Sequence, residues 1–433
     1  MLRDSLVTFA TRVALFGTST LTAVLTARLL GPEGRGVYAL LTQTALLLAL
    51  VANLGLSPAT VYLAGQRRFS VGVLAWNALG AGLLLGLATA PLTWVLYTLA
   101  PQLFRGVPLA LLALVVLSVP LALTTQMLSS LLLGRQRLLA YNALAGVQGL
   151  FGAAALVGAL VVEPSVRAAT LALVASAAFA LLSTAGYVAW AEAAARRPAW
   201  TARVLPAALG YGLRGQVANV VQYLNYRMGF FLLNAFAGSA AVGLLSIAVV
   251  LAEALWYATN AVATVLFPRV AARGQEPEAV ALAAQAARLG FALTALLALG
   301  LAVVAPLAVP LLFGAAFAGA VVPLLLLLPG TVAFALTNVL ASALAGWGRP
   351  GLNAWASTLC FAVTAGLALL AIPPWGTAGA ALAMSAGYLA GTAATLAFFA
   401  AQAGLPLRAL LVPTSADMML VWTALRGALR RHW

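Results

Sequence analysis

Arg227 and Glu253 are the residues from which any chemistry of this chain has to start, because each is an ionisable group within a long apolar stretch. Charges in such surroundings are costly, and where they are kept they face a cavity or a partner. At 100° per residue, Gln216, Asn219, Tyr223, Arg227 and Asn234 fall on one stripe of a helix, within an arc of about 80°. Arg214 and Asn225 lie on roughly the opposite side. Further on, Glu253 has Trp256, Tyr257 and Asn260 on its side, and the first apolar stretch carries Thr8, Arg12, Ser19 and Thr26 along one stripe. A cavity lined by Arg12, Arg214 and Arg227 would attract an anion, and the planar guanidinium fork matches phosphate oxygens. The expected substrate-binding set is therefore Arg12, Arg214, Arg227, Gln216, Asn219, Tyr223 and Asn225, with Glu253 and Asn260 as candidates for H⁺ or Na⁺ coupling. The plainer alternatives are that Arg227 pairs with Glu253 to hold two helices together, and that Arg12 is a topological anchor.

What is missing narrows the chemistry further. The only His is His432, the penultimate residue, and the only Cys is Cys360, so a Ser-His-Asp triad, a multi-His zinc site and an intrachain disulfide are excluded. The remaining carboxylates, Asp4, Glu33, Glu163, Glu192, Glu276, Glu278 and Asp417, fall near segment ends, in loops or in the tail. We expect no enzyme activity, no resident metal and no cofactor.

The elements that must position these residues follow from composition. The 433 residues are 64% hydrophobic and 7% charged, with a mean hydropathy of +1.06. Soluble domains are about 25% charged, so a soluble enzyme and a nucleic-acid reader are both excluded. A membrane helix needs about 20 apolar residues. That ruler predicts an all-α polytopic membrane protein with twelve spans at 6–28, 37–64, 71–98, 108–133, 140–162, 168–191, 205–235, 240–266, 285–313, 320–345, 352–373 and 376–401. The first span keeps Arg12 and Arg28 and leads straight into the second, so it reads as a retained signal anchor.

Every one of the 23 basic residues is Arg. With twelve spans and both termini cytoplasmic, eighteen of them fall on the inner side and four on the outer, as the positive-inside rule requires. The net charge of +15 is thus a topology signal, where in a soluble chain it would suggest nucleic acid.

The two halves repeat. Gly31 and Gly36, after the first span, match Gly238 and Gly243, after the seventh, at an offset of 207. Gly134-Arg135-Gln136-Arg137 matches Gly346-Trp347-Gly348-Arg349 at an offset of 212, with Asn142 and Asn353 following. Six helices duplicated give parallel repeats around a central cavity, an alternating-access plan. The expected organisation is an N-terminal six-helix lobe at 1–192, a basic cytoplasmic linker at 193–205, a C-terminal lobe at 206–403 and a tail at 404–433. Within that tail, 414–433 reads as an amphipathic helix on the inner leaflet, with Arg426 and Arg430 one turn apart beside Met418, Trp422, Leu425 and Leu429.

The run Ala27-Arg28-Leu29-Leu30-Gly31-Pro32-Glu33-Gly34-Arg35-Gly36-Val37-Tyr38-Ala39-Leu40 resembles the first hairpin of Wzx-type polysaccharide flippases, in the multidrug/oligosaccharidyl-lipid/polysaccharide exporter superfamily. The hairpins at Gly134 and Gly346 look like that family's later turns, and the layout matches over about residues 1–403. The resemblance implies two six-helix lobes and a polyprenyl-pyrophosphate-linked oligosaccharide moved from the inner to the outer leaflet for cell-surface polysaccharide synthesis. It also implies a cationic cavity for the headgroup, for which Arg12, Arg214 and Arg227 are the candidates. Fourteen spans, expected of peptidoglycan-precursor flippases, are not found. The expected partners are this glycan substrate, membrane lipids and polysaccharide-assembly proteins, in the cytoplasmic membrane and without nucleic acid. The alternatives are a multidrug/cation antiporter, which would use Glu253, and a membrane glycosyltransferase or polymerase, whose catalytic outer loops this chain lacks.

Overall fold

The computed structural model describes residues 2–412 and Asp417, with side chains from residue 17 onward except at 214, 258, 261, 264, 265, 268, 269 and 271. Its regular elements are α1 (Leu2–Asn53), α2 (Leu56–Gly65), α3 (Val71–Leu87), α4 (Thr89–Leu99), α5 (Leu109–Gly134), α6 (Leu138–Val162) and α7 (Val166–Ala191), followed by α8 (Val204–Ala237), α9 (Ser239–Ala254), α10 (Trp256–Arg273), α11 (Pro277–Phe313), α12 (Val321–Gly346), α13 (Pro350–Ala403) and α14 (Arg408–Leu411). Short 3₁₀ turns lie at Pro101–Phe104, Ala193–Arg196 and Ala315–Ala320. Among the described residues there is no strand.

Apolar side chains point outward as well as inward. Val162 is 87% exposed, Leu370 74% and Leu307 73%. Water would penalise such a surface, whereas hydrocarbon asks only that the backbone be hydrogen-bonded internally, which helices satisfy. Among the described residues, eight helical stretches are long and apolar enough to cross a membrane by length and composition. The chain is a multi-pass helical membrane protein.

The two longest helices are hairpins. At Gly31 (φ 65°, ψ 180°) α1 leaves helical geometry, and Arg35 Nη1 donates to Thr26 Oγ1 at 2.9 Å. Nine residues of straight helix would separate the two by about 13.5 Å along the axis, so the chain turns back there. In α13 the break is at Gly376 (φ 50°, ψ −124°). Beyond it Gly379 packs on Ala371, Gly387 on Thr364 and Gly391 on Cys360, each pair stepping outward equally from the break as antiparallel helices must. Conversely, α3 runs on into α4 through Ala88, and α9 into α10 through Leu255, both in right-handed helical conformation. Split and joined in this way, the helices are consistent with the twelve expected spans.

Three features differ from expectation. The second span breaks at Leu54 (φ 49°) and Gly55 (φ 76°), the eighth runs on to Arg273, seven residues late, and the ninth begins at Pro277, eight residues early. The early start arises because the stretch 277–284 is helical and packs inward through Ala283 and Ala284. Of the tail, Leu410 on α14 is fully buried in that same core. The amphipathic helix expected at 414–433 lies outside the described residues, Asp417 apart.

The residues group into two compact units. One holds Met1–Tyr223, Phe230–Ser246 and Leu312–Phe317; the other holds Leu224–Gly229, Ile247–Leu311 and Ala318–Trp433. The first has its core among Leu56, Leu63, Leu74, Leu123, Met127 and Leu131. The second has its core among Val270, Leu336, Leu340, Leu344 and Phe399. The division is not one cut in the sequence, since α8 contributes to both.

The repeat is visible in the backbone. Gly238 (φ 80°, ψ 177°) adopts the same conformation as Gly31 (φ 65°, ψ 180°). In the first unit the two matching hairpins meet reciprocally: Gly36 lies against the carbonyl of Ser239, and Gly243 against that of Pro32. Since 32 and 239 differ by the same 207 as 36 and 243, this is one contact made twice across a local pseudo-twofold axis. The α5–α6 and α12–α13 turns share a hydrogen-bond pattern too. Arg135, Gln136 and Arg137 donate to Leu131, Leu133 and Leu132, while Trp347, Gly348 and Arg349 donate to Ala343, Ala345 and Leu344.

Candidate functional site: an ion pair within the second unit

The 34 residues of α8 span about 51 Å, far more than the roughly 30 Å of a hydrocarbon core. Arg227 lies 23 residues in, about 35 Å from the helix start. Glu253 is the penultimate residue of α9, just before the chain continues through Leu255 into α10. Within the second unit these two side chains meet as a fork on a fork. Arg227 Nη1 donates to Glu253 Oε1 at 2.7 Å, and Nη2 donates to Oε2 at 3.0 Å. The side chains are 19% and 25% exposed, so the pair is neither sealed in nor free in solvent. Two parallel charge-assisted bonds fix both groups, and each charge cancels the cost of the other in an apolar setting.

Aromatic rings back this pair on one side. Tyr226, next to Arg227, lies 5.7 Å from Trp256 and 6.2 Å from Tyr388, and Phe334 lies 4.9 Å from Trp256 and 5.2 Å from Tyr388. Trp256 is anchored by its indole N–H, which donates to Thr331 O at 2.9 Å. Tyr388 is 2% exposed, and its ring lies 5.5 Å from that of Trp256, one helical turn from Glu253. Its hydroxyl has no hydrogen-bond partner among the described residues. Tyr257, on the far side of Trp256, is 52% exposed and also senses the Glu253 charge.

The other expected site residues are dispersed. In the first unit, Gln216 Nε2 donates to Leu50 O, Asn219 Nδ2 reaches Gln216 Oε1 at 3.5 Å, and the Tyr223 hydroxyl donates to Gln43 O at 2.7 Å. The first and last of these tie α8 to the second limb of α1, while the Asn219 contact stays within α8. In the second unit, Asn225 donates to Ser357 O at 3.0 Å and leaves its own carbonyl oxygen buried without a partner among the described residues. Asn234 donates to the carbonyls of Leu103 and Arg105, closing the far end of α8. Asn260 is exposed on α10. The side chains of Arg12 and Arg214 lie outside the described residues.

Sequence reasoning reached the Arg227–Glu253 pair as one of its alternatives, but missed Gln43, Phe334 and Tyr388. Tyr388 had a usable signal, as the only large polar side chain in the small-residue run 376–391. Also missed was the pair of Arg288 with Asp417, where Nε donates to Oδ2 at 2.7 Å and Nη2 to Oδ1 at 3.1 Å. It is more buried than the central pair, at 9% and 1% exposed. It fastens Asp417, in the tail beyond α13, to α11, well away in sequence from the other candidates.

A helical membrane fold with duplicated halves, and a partly buried ion pair in the second, can be set beside known proteins. The fold matches a lipid II flippase, MurJ, in an inward closed conformation with a TM-score of 0.79 and 16% identity, over 95% of this chain and 89% of that one. It also matches an inward-facing multidrug resistance MATE transporter of the MOP superfamily (TM-score 0.67, 15% identity, 90% and 94% covered). A third likeness is to a MOP superfamily transporter from Pyrococcus furiosus described as having a binding pocket of reverse polarity (TM-score 0.60, 14% identity, 91% and 94% covered). No curated protein matches the sequence. Residues 25–322, more than half of the chain, match the polysaccharide biosynthesis protein family, and the chain belongs to that family.

Proposed function

We propose that this protein is a flippase that moves a polyprenyl-pyrophosphate-linked oligosaccharide from the inner to the outer leaflet, with Arg227 receiving the phosphate. The observation that carries this reading is a guanidinium two-thirds of the way along α8, 19% exposed and already held in the two-pronged geometry that phosphate oxygens use. Membership of a polysaccharide biosynthesis family supports a glycan-bearing lipid as cargo, and the shared fold of MurJ and MATE transporters supports transport over catalysis. In this reading the termini are cytoplasmic, the protein sits in the cytoplasmic membrane, and polysaccharide-assembly proteins supply and take up the cargo. H⁺ or Na⁺ exchange at Glu253 and Asn260 would couple the cycle.

A second reading has one observation in its favour. Glu253, 25% exposed beside Tyr257, is the sort of carboxylate a cationic drug would seek in a multidrug antiporter. Against it stands the bidentate guanidinium that neutralises the carboxylate. The test is to reconstitute the protein in vesicles with a fluorescent lipid-linked sugar and compare Arg227→Ala with the parent. A fall in flipping of tenfold or more is expected. Unchanged flipping overturns the phosphate role, and loss of drug efflux in Glu253→Gln alongside it would favour the antiporter.

A further inference from the structure

We propose that Glu253 is a displaceable counter-ion, and that the Tyr388 hydroxyl receives its carboxylate when an anionic headgroup takes Arg227. This rests on the phosphate reading of Arg227 and deepens it. Both terminal nitrogens of the Arg227 fork are occupied by Glu253 in the empty site. A diphosphate that takes the same Nη1–Nη2 edge competes with Glu253 for it and must displace the carboxylate. The carboxylate it evicts would be left charged and unpaired inside the membrane, which is the costliest outcome available. A hydrogen-bond donor has to be waiting.

Tyr388 fits that requirement. Its hydroxyl is buried and has no hydrogen-bond partner among the described residues, and its ring packs on Tyr226, next to Arg227, and on Trp256, one helical turn from Glu253. Buried tyrosine hydroxyls ordinarily find a partner, and one left without is costly unless another state supplies it. The Tyr388 ring is packed by Tyr226, Trp256 and Phe334, so it cannot swing to the Glu253 it serves. Glu253, with three side-chain torsions and 25% exposure, is the partner free to move. The charged and titratable groups around the switch are Arg227 and Tyr226 on α8, Tyr257 on α10, and Tyr388 with Cys360 beyond it on α13. The empty site is then neutral and does not attract cations, and it exposes a free carboxylate to Tyr388 only when an anion is bound.

The experiment measures binding of two probes, inorganic pyrophosphate and farnesyl diphosphate, to the full chain in lipid nanodiscs. Comparing them separates recognition of free diphosphate from recognition of a prenyl-linked one. Glu253→Gln is expected to tighten binding of both probes at least tenfold, because the internal competitor has lost its charge. Tyr388→Phe is expected to weaken binding about fivefold in the parent and to have no effect in the Glu253→Gln background. It should also leave the melting temperature unchanged or raised, since the hydroxyl it removes is unpaired in the empty state. A structural role for Tyr388 would lower stability instead. Equal or weaker binding in Glu253→Gln, or an equal Tyr388→Phe effect in both backgrounds, overturns the proposal. If Glu253→Gln does not fold, a Tyr388→Phe variant with parental affinity overturns it alone. Parental affinity in Arg227→Ala would instead overturn the phosphate reading, and no binding by any variant would overturn both.

Discussion

Adding a single methyl group at Gly36 tests the reciprocal hairpin contact directly. A Cβ there would sit inside the van der Waals radius of the Ser239 carbonyl oxygen, and one at Gly243 inside that of Pro32. The obstruction is helix backbone in both cases, so no side chain can swing aside and the two hairpins must move apart. Overpacking of this kind costs about 1–3 kcal/mol. At about 1.4 kcal/mol per factor of ten, that shifts the balance between joined and parted hairpins by roughly 5- to 150-fold. Because the contact is made twice, Gly36→Ala and Gly243→Ala should cost the same to within about 0.5 kcal/mol. The double variant should cost less than their sum, since the first methyl has already opened the space for the second. Val242, fully buried one residue from the contact, supplies a reporter. In a Cys360→Ala background, alkylation of Val242→Cys by a membrane-impermeant maleimide should accelerate by the same factor in either glycine variant. Alkylation rates within twofold of the parent, with an unchanged melting temperature, would refute the reasoning.

Three further outcomes follow from particular contacts. Gln136 occupies the left-handed position (φ 58°) that Gly348 fills (φ 73°) in the matching turn. Gln136→Gly should therefore stabilise by about 0.5–1 kcal/mol, while Gly348→Ala destabilises by about 1 kcal/mol, both read from detergent-solubilised melting curves. Removing one partner of the buried Arg288–Asp417 pair by Asp417→Asn should cost about 3–5 kcal/mol; the double change Arg288→Met with Asp417→Leu should recover most of it. Trp347→Phe removes the indole bond to Gly274 O at 2.7 Å and should lower stability by about 1 kcal/mol, with a urea titration as the measurement.

Much of the fold was legible because lipid imposes few rules and imposes them strictly. Helix number follows from apolar length, and the duplication follows from glycines that only a turn or a close approach requires. Gly31 and Gly238 share a backbone conformation because the chain breaks a helix in the same way twice. What a hydropathy ruler cannot see is a helix that stays helical through polar residues. The stretch 277–284 carries Glu278 and falls outside the expected ninth span, yet its Ala283 and Ala284 pack into the second core. The break at Leu54 was equally hidden, since it turns on one or two dihedral angles, whereas the continuation of α3 into α4 is the single span expected at 71–98.

The candidate site was legible in its charges and obscure in its surroundings. A lone glutamate among apolar residues announces itself, and so does an arginine 26 positions earlier on the neighbouring span. Their polar companions on the same helix mislead, because helical periodicity gives the direction in which a side chain points and not what it meets. Gln216 and Tyr223 share a stripe with Arg227, yet they bond to the backbone of a different unit from the one that holds Glu253. The stripe is real, but α8 passes through two packing environments, and only the middle segment Leu224–Gly229 belongs with the ion pair. Tyr388 lies 135 positions beyond Glu253, where only three-dimensional packing can place it. A membrane site built from one charge pair therefore depends on the neutral groups that make the pair exchangeable. Those groups are tyrosines and amides, whose cost in the bilayer is too small to stand out in a sequence.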